Sequence, residues 1–241
     1  MQKKITGLAS FGDRCKEAPA THTALTATFA ALAATLGDLL MLYVINSRRP
    51  ELLLPELPEV FLWVGGALGV VGIPFYSAGY HAAARILGTI SQNAARAVFF
   101  IGILVAVLGA VIHGITALKI HADLKAGAAV QDPLLSVLSW GPAIIVLWAL
   151  AAVLVFTASA VFFWFAIHGR GFAPFLAGLA NPALVTVLLS VVGMSTPLLR
   201  SFLIPSAPNM AHVTFFAVCV WANRSGRIKT GMKKSRDRFK D

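Results

Sequence analysis

Six apolar runs, at about residues 24–46, 60–84, 97–118, 142–167, 182–204 and 208–223, dominate this chain of 241 residues. Each approaches the ~20 residues that an α-helix needs to cross a hydrocarbon core ~30 Å thick, except the last, which is short. A soluble domain carries roughly 25% charged residues. Here the share is 12%, against 58% hydrophobic residues and a mean hydropathy of +0.78. The expected fold is therefore all-α: a six-helix transmembrane bundle over residues 24–223, with an N-terminal segment over 1–23 and a basic tail over 224–241.

Local punctuation supports this division. Arg48, Arg49 and Pro50 end the first run, and Pro55 and Pro58 keep the following loop open. Asp132-Pro133 pairs a helix cap with proline at the first helical position and opens a short interfacial helix toward Trp140. Asn181-Pro182 repeats that signal at the fifth run. Pro205 and Pro208 are expected to make a tight turn into the sixth. Lys3 and Lys4 are followed by mixed rather than apolar residues, which is not the pattern of a cleavable signal peptide. Cys15 and Cys219 form no redox or haem-attachment motif.

The net charge of +10 is concentrated at the ends. Four of the twenty Lys and Arg precede Ala24 and eight follow Asn223. Basic ends beside membrane runs act as topology signals and contact anionic lipid; they do not point to nucleic acid. With the N-terminus in the cytoplasm, fifteen basic residues fall inside and five (Arg48, Arg49, Lys119, Lys125 and Arg200) fall outside. Both termini are thus placed in the cytoplasm, with membrane lipids as the partners of the bundle. The tail reads as disordered or lipid-adsorbed.

Asp38 lies within the first run, where a carboxylate costs ~2.5–3.5 kcal/mol on insertion scales and so faces a protein interior. At 1.5 Å per residue, Asp38 sits about 21 Å above the cytoplasmic side, and His113 and His212 about 24 Å. Arg200 lies slightly higher, at about 27 Å. Gly102, Ala106, Gly109 and His113 share one stripe, as do Ala30, Ala34 and Asp38, and His212 with Phe216 and Cys219. Small-residue stripes are packing faces. The three ionisable residues are therefore expected to converge inside the bundle. Gly65 and Gly69, four apart, add support for tight helix packing.

Three chemistries suit such a cluster. The residues can simply neutralise one another and tie helices together. They can form a metal or acid–base site, since imidazoles and a carboxylate ligate zinc and zinc activates water. A bis-histidine haem between the third and sixth runs is a smaller part of that reading. They can instead relay protons or bind a transported solute. A membrane enzyme acting on a lipid or other amphiphile, a proton-coupled transporter and a structural subunit all remain open on these grounds. A second polar group, Ser77, Tyr80 and His81, lies near the cytoplasmic side below Pro74, where the ring removes an N–H and kinks the helix. Tyr80, His81 and Arg200 are candidate substrate contacts, although Tyr and His near a span end are ordinary interfacial residues. His22, His121 and His168 are expected to be solvated.

Several stretches together resemble an uncharacterised family of bacterial multipass membrane proteins. They are Gly37-Asp38-Leu39-Leu40, Gly72-Ile73-Pro74-Phe75-Tyr76, Gly79-Tyr80-His81, His113-Gly114, Asn181-Pro182 and Asn209-Met210-Ala211-His212. The resemblance covers most of the chain outside the tails and implies no biochemical function. A looser similarity is to seven-span ceramidase-like hydrolases, whose zinc is held by histidines with an Asp and a Ser nearby. Asp38, Ser77, His81, His113 and His212 are the right residue types. The chain departs from that pattern in having six runs, not seven, and no pair of histidines four apart.

Overall fold

The structure, a computed structural model, describes residues 19–49, 52–126, 141–168 and 172–238. Among these residues all regular structure is helical. In chain order the α-helices are α1 (Pro19–Asn46), α2 (Val60–Gly72), α3 (Tyr76–Gly88), α4 (Gln92–Lys125), α5 (Pro142–His168), α6 (Phe172–Leu179), α7 (Pro182–Gly193) and α8 (Pro197–Arg238). A 3₁₀ turn, Ile73–Phe75, joins α2 to α3 at Pro74. Among the described residues five stretches are long and apolar enough to cross a membrane: 21–46, 60–88, 92–125, 142–168 and 197–224. Asp132-Pro133 lies outside the described residues.

Successive helices pack in order, and the last closes on the first. α1 lies against α2, α3 and α8; α4 covers α2 and α3; α5 covers α4; α6 and α7 bridge α5 to α8. The buried side of α1 is Ala24, Ala27, Ala31, Ala34, Asp38 and Met41. Those intervals of three and four residues form one helical stripe, and small side chains let the neighbours approach closely. Phe29, Leu32, Leu36 and Leu39 occupy the opposite, exposed side.

Two cross-contacts fix the register of α1 on α8. Asn46 Nδ2 donates to the Ser201 carbonyl (3.4 Å), and Asn209 Nδ2 donates to Asp38 Oδ2 (2.7 Å). Asn46 is eight residues after Asp38, and Ser201 eight before Asn209, so one antiparallel alignment satisfies both.

The last third of the chain differs from the sequence expectation. The run over 182–204 is not one helix. α7 ends at Gly193, and α8 starts at Pro197 and continues through both Pro205 and Pro208 without a turn. The physical reason is a distant partner. Pro205 has no N–H for the Ser201 carbonyl, which would ordinarily leave a buried acceptor unpaired. The Asn46 side chain supplies the missing donor. In apolar surroundings helix-interior proline is tolerated where neighbours re-satisfy the freed groups. α8 also remains helical to Arg238, so the disorder expected of the tail does not hold over 224–238.

The cap at Asn181-Pro182 is present. Asn181 Oδ1 accepts from Leu184 N (3.1 Å), and Pro182 occupies the first turn. Its Nδ2 donates to the Gly178 carbonyl at the end of α6 (2.6 Å), and Ser159 Oγ accepts from Ala183 N (3.2 Å). The break between α6 and α7 is thus stitched on both sides. Gly178 packs on Ala166 and Phe163 of α5, while Ala183 meets Ser159. α6 and α7 therefore continue one antiparallel path along α5. Asn181→Ala removes the cap and one stitch from a buried position, and is expected to cost about 1–2 kcal/mol of stability. Thermal unfolding in detergent checks this; an unchanged midpoint would mean that the break is held by packing alone.

Candidate functional site

One group of buried polar residues lies where α1, α2, α3, α4 and α8 meet. Asp38 is at the centre. Its Oδ1 stands 3.4 Å from His113 Nδ1, and its Oδ2 accepts from Asn209 Nδ2 at 2.7 Å. Asn209 Oδ1 in turn accepts from the Tyr76 hydroxyl at 2.7 Å. His113 Nε2 stands 3.2 Å from the Gly65 carbonyl. Asp38 and His113 are 8% and 6% exposed, which leaves water little access to either.

Glycines make this geometry. The backbones of α1 and α2 touch at Gly37 and Gly65, where a Cβ on either residue would fall 2.5 Å from the other's carbonyl oxygen. One turn along, a Cβ on Gly69 would fall 2.1 Å from the His113 ring. Gly65 therefore supplies a close crossing and an acceptor, and Gly69 supplies the seat of the imidazole. Gly102 does the same for Tyr80, whose ring occupies the space that its Cβ would need.

The proton count of the pair follows from its partners. A carbonyl only accepts, so His113 Nε2 must carry the hydrogen it donates to Gly65. A neutral imidazole protonated at Nε2 would present a lone pair at Nδ1. Opposite an ionised carboxylate that would set two acceptors face to face. One further proton between Nδ1 and Oδ1 removes the conflict, as imidazolium with carboxylate or as neutral imidazole with carboxylic acid. Either form leaves the pair with no net charge, which a buried pair requires.

His212 belongs to a neighbouring group. Its Nδ1 donates to the Pro208 carbonyl (2.7 Å), so its Nε2 accepts from the Tyr80 hydroxyl (2.9 Å). That satisfies a neutral imidazole completely. Its ring stacks against Tyr76, with centroids 4.7 Å apart, and lies within an aromatic group that includes Phe215 and Phe216. Tyr76 joins the two groups, by its hydroxyl to Asn209 and by its ring to His212.

Of the expected triad, the structure therefore brings Asp38 and His113 into direct contact and attaches His212 through Tyr76. The shift has a simple cause. With α8 starting at Pro197, Asn209 faces Asp38, and His212 lies three residues, about 4.5 Å, further along. Tyr80 is central and fully buried, not an interfacial residue. His81 is exposed and meets Phe99 edge-on, and Ser77 donates to the Pro74 carbonyl of the preceding 3₁₀ turn. Arg200 is exposed near the start of α8, nine residues and about 13 Å from Asn209. Among the described residues no three His, Cys, Asp or Glu are grouped so as to hold a metal ion. Asn209 and Tyr76 were not among the expected site residues, although both lie in quoted motifs; the misplaced turn at Pro208 put Asn209 at a helix end. His121, expected to be solvated, instead bonds Glu59 and packs on Trp63, with Lys125 4.0 Å from the same carboxylate. His22 and His168 are exposed, as expected.

These residues lie within the stretch that defines a known group of sequences. The chain belongs to the family DUF6796. This family of unknown function matches residues 16–225, which include every residue of the network. No curated protein and no solved structure matches the chain. Membership of DUF6796 assigns no reaction.

Proposed function

We propose that this DUF6796 protein is a six-crossing protein of the bacterial inner membrane, and that Asp38 and His113 hold and release the proton of a proton-coupled transporter. The observation that carries the reading is the contact of His113 Nε2 with the Gly65 carbonyl, which commits that nitrogen as donor and leaves one proton to be shared with Asp38. Ionisable groups inside a membrane bundle are proton relays or substrate sites by default. A broken helix also favours transport, because discontinuous helices accompany the sites of many transporters. Here α6 and α7 together span residues 172–193, long enough at about 33 Å to make the fifth crossing in two pieces. Six crossings place both ends on one side, and the fifteen-to-five division of Lys and Arg puts that side in the cytoplasm. Segments 1–23 and 224–241 then flank the membrane domain 24–223, with Arg85, Arg96 and the basic tail beside anionic lipid.

Two other readings are ordered by the same geometry. A structural lock is favoured by the completeness of the bonding: both Asp38 oxygens and both nitrogens of each histidine are engaged. That completeness argues against an enzyme acting on a lipid or other amphiphile, which needs a group free to meet its substrate.

Infrared difference spectroscopy separates these readings. A pH step applied to the protein in lipid vesicles is expected to give a carboxyl signal that vanishes in Asp38→Asn and changes in His113→Gln. Both variants keep approximate side-chain size. A spectrum that Asp38→Asn leaves unchanged would show that Asp38 exchanges no proton, and the pair would then be a lock.

A further inference from the structure

We infer that the corner formed by α7 and the first three turns of α8 is a gate over the Asp38–His113 pair, latched by Arg49 and Asn46 and hinged at Pro205 and Pro208. The inference takes the outer side from the proposed topology, and uses the proton-holding reading only to say what the gate admits. Three observations carry it.

The first is a latch on the seam that contains the pair. Arg49 Nη1 donates to Ser201 Oγ (3.0 Å) and Asn46 Oδ1 (3.3 Å), while Asn46 Nδ2 donates to the Ser201 carbonyl (3.4 Å). Asn46 and Ser201 are 0% and 1% exposed, so these bonds close the seam between α1 and α8. They lie eight residues, about 12 Å, beyond Asp38 and Asn209 on the same two helices. On the proposed topology this is the outer side.

The second is a weak point between latch and pair. Pro205 and Pro208 each remove an N–H from α8, freeing the carbonyls of Ser201 and Ile204 from their usual partners. Proline is a common cause of helix bending. The bond from Ser201 that ordinary helix would make internally is made instead across the seam, to Asn46. Breaking the latch therefore also releases the segment from its main-chain anchor.

The third is the exposed position of the corner above the hinge. Residues 194–200 are all exposed, and Gly193 meets Ile204 and Leu203 of the same corner. α7 and the start of α8 thus hold each other at their tip. A rotation at the prolines would move this corner as one piece away from α1. Asp38, whose side chain keeps 12% exposure, would then face the outer solvent.

Leu42 reports the opening. It lies on α1 between Asp38 and Asn46 and is 6% exposed. In the full chain carrying Cys15→Ser and Cys219→Ala, Leu42→Cys is to be labelled with a membrane-impermeant maleimide from the outer face. Arg49→Ala or Asn46→Ala is expected to speed labelling about tenfold, the scale of one charge-assisted hydrogen bond. Pro205→Ala, which returns an N–H to the Ser201 carbonyl, is expected to slow it. Equal rates in all chains would overturn the gate. Faster labelling in Pro205→Ala as well would report general loosening and would overturn it equally. The labelling rate does not depend on whether Asp38 exchanges a proton, so the gate and the proton-holding pair can fail separately.

Discussion

Replacing Asp38 by leucine alone is expected to destabilise the bundle by about 3 kcal/mol, and replacing His113 by leucine as well should recover most of that loss. Removing one member of a buried ion pair in a soluble protein costs about 3–5 kcal/mol, because the other is left without a partner, while replacing both by apolar residues is often neutral. The lower end applies here. Polar pairs between membrane helices couple by about 0.6 kcal/mol on average, since the unfolded chain in lipid also finds partners. Asp38 is worse placed than most, because its loss strands both the Asn209 amide and His113 Nδ1. Unfolding of the two single variants and the double variant in mixed detergent gives the coupling directly. Additive losses would mean that the 3.4 Å contact between Asp38 and His113 carries no energy, and the argument for a shared proton would go with it.

The sequence carries the bundle because a chain with so few charges has few ways to satisfy its backbone, and helix is the local one. It also carries the packing sides. The stripe from Gly102 to His113 faces α2 and α3, with Gly102 against Tyr80, Gly109 against Ile73 and His113 against Gly69. Asn181-Pro182 was readable because a cap is a local device, complete within four residues. Pro205 and Pro208 were not. Proline ends a helix when the freed carbonyl has nowhere to go, and at Pro205 that depends on Asn46, 155 residues before Ser201. That single error placed the start of the last helix too late, moved Asn209 to a helix end and brought His212 level with Asp38. The pairing of Tyr80 with His212 was hidden for a related reason. A tyrosine near the end of an apolar run looks interfacial, and only the packing of α3 between α4 and α8 buries it. His121 was misplaced because its partner Glu59 is 62 residues away, at the start of another helix.

Gly69→Ala is expected to cost about 1–3 kcal/mol of stability from overpacking, together with the shared proton. The added Cβ would sit 2.1 Å from two atoms of the His113 ring, well inside contact distance. A surface side chain would swing aside. This imidazole is held at both nitrogens, by Asp38 at Nδ1 and by the Gly65 carbonyl at Nε2, so it cannot turn without giving up one of them. Backing away is also closed, because Gly65 is pressed against Gly37 and the two helix backbones have no slack. Gly88→Ala is the control. Its Cβ would meet nothing closer than 3.6 Å, at the end of the Gln92 side chain, and alanine is the better helix residue. A third variant separates collision from helix propensity: in a His113→Ala background the ring is absent, and Gly69→Ala should then become neutral or mildly stabilising. Thermal unfolding reads the stability of all three, and the infrared carboxyl signal reads the pair. If Gly69→Ala matches Gly88→Ala in both measurements, the imidazole has room to move, and the close fit that commits His113 Nε2 to the Gly65 carbonyl does not hold in solution.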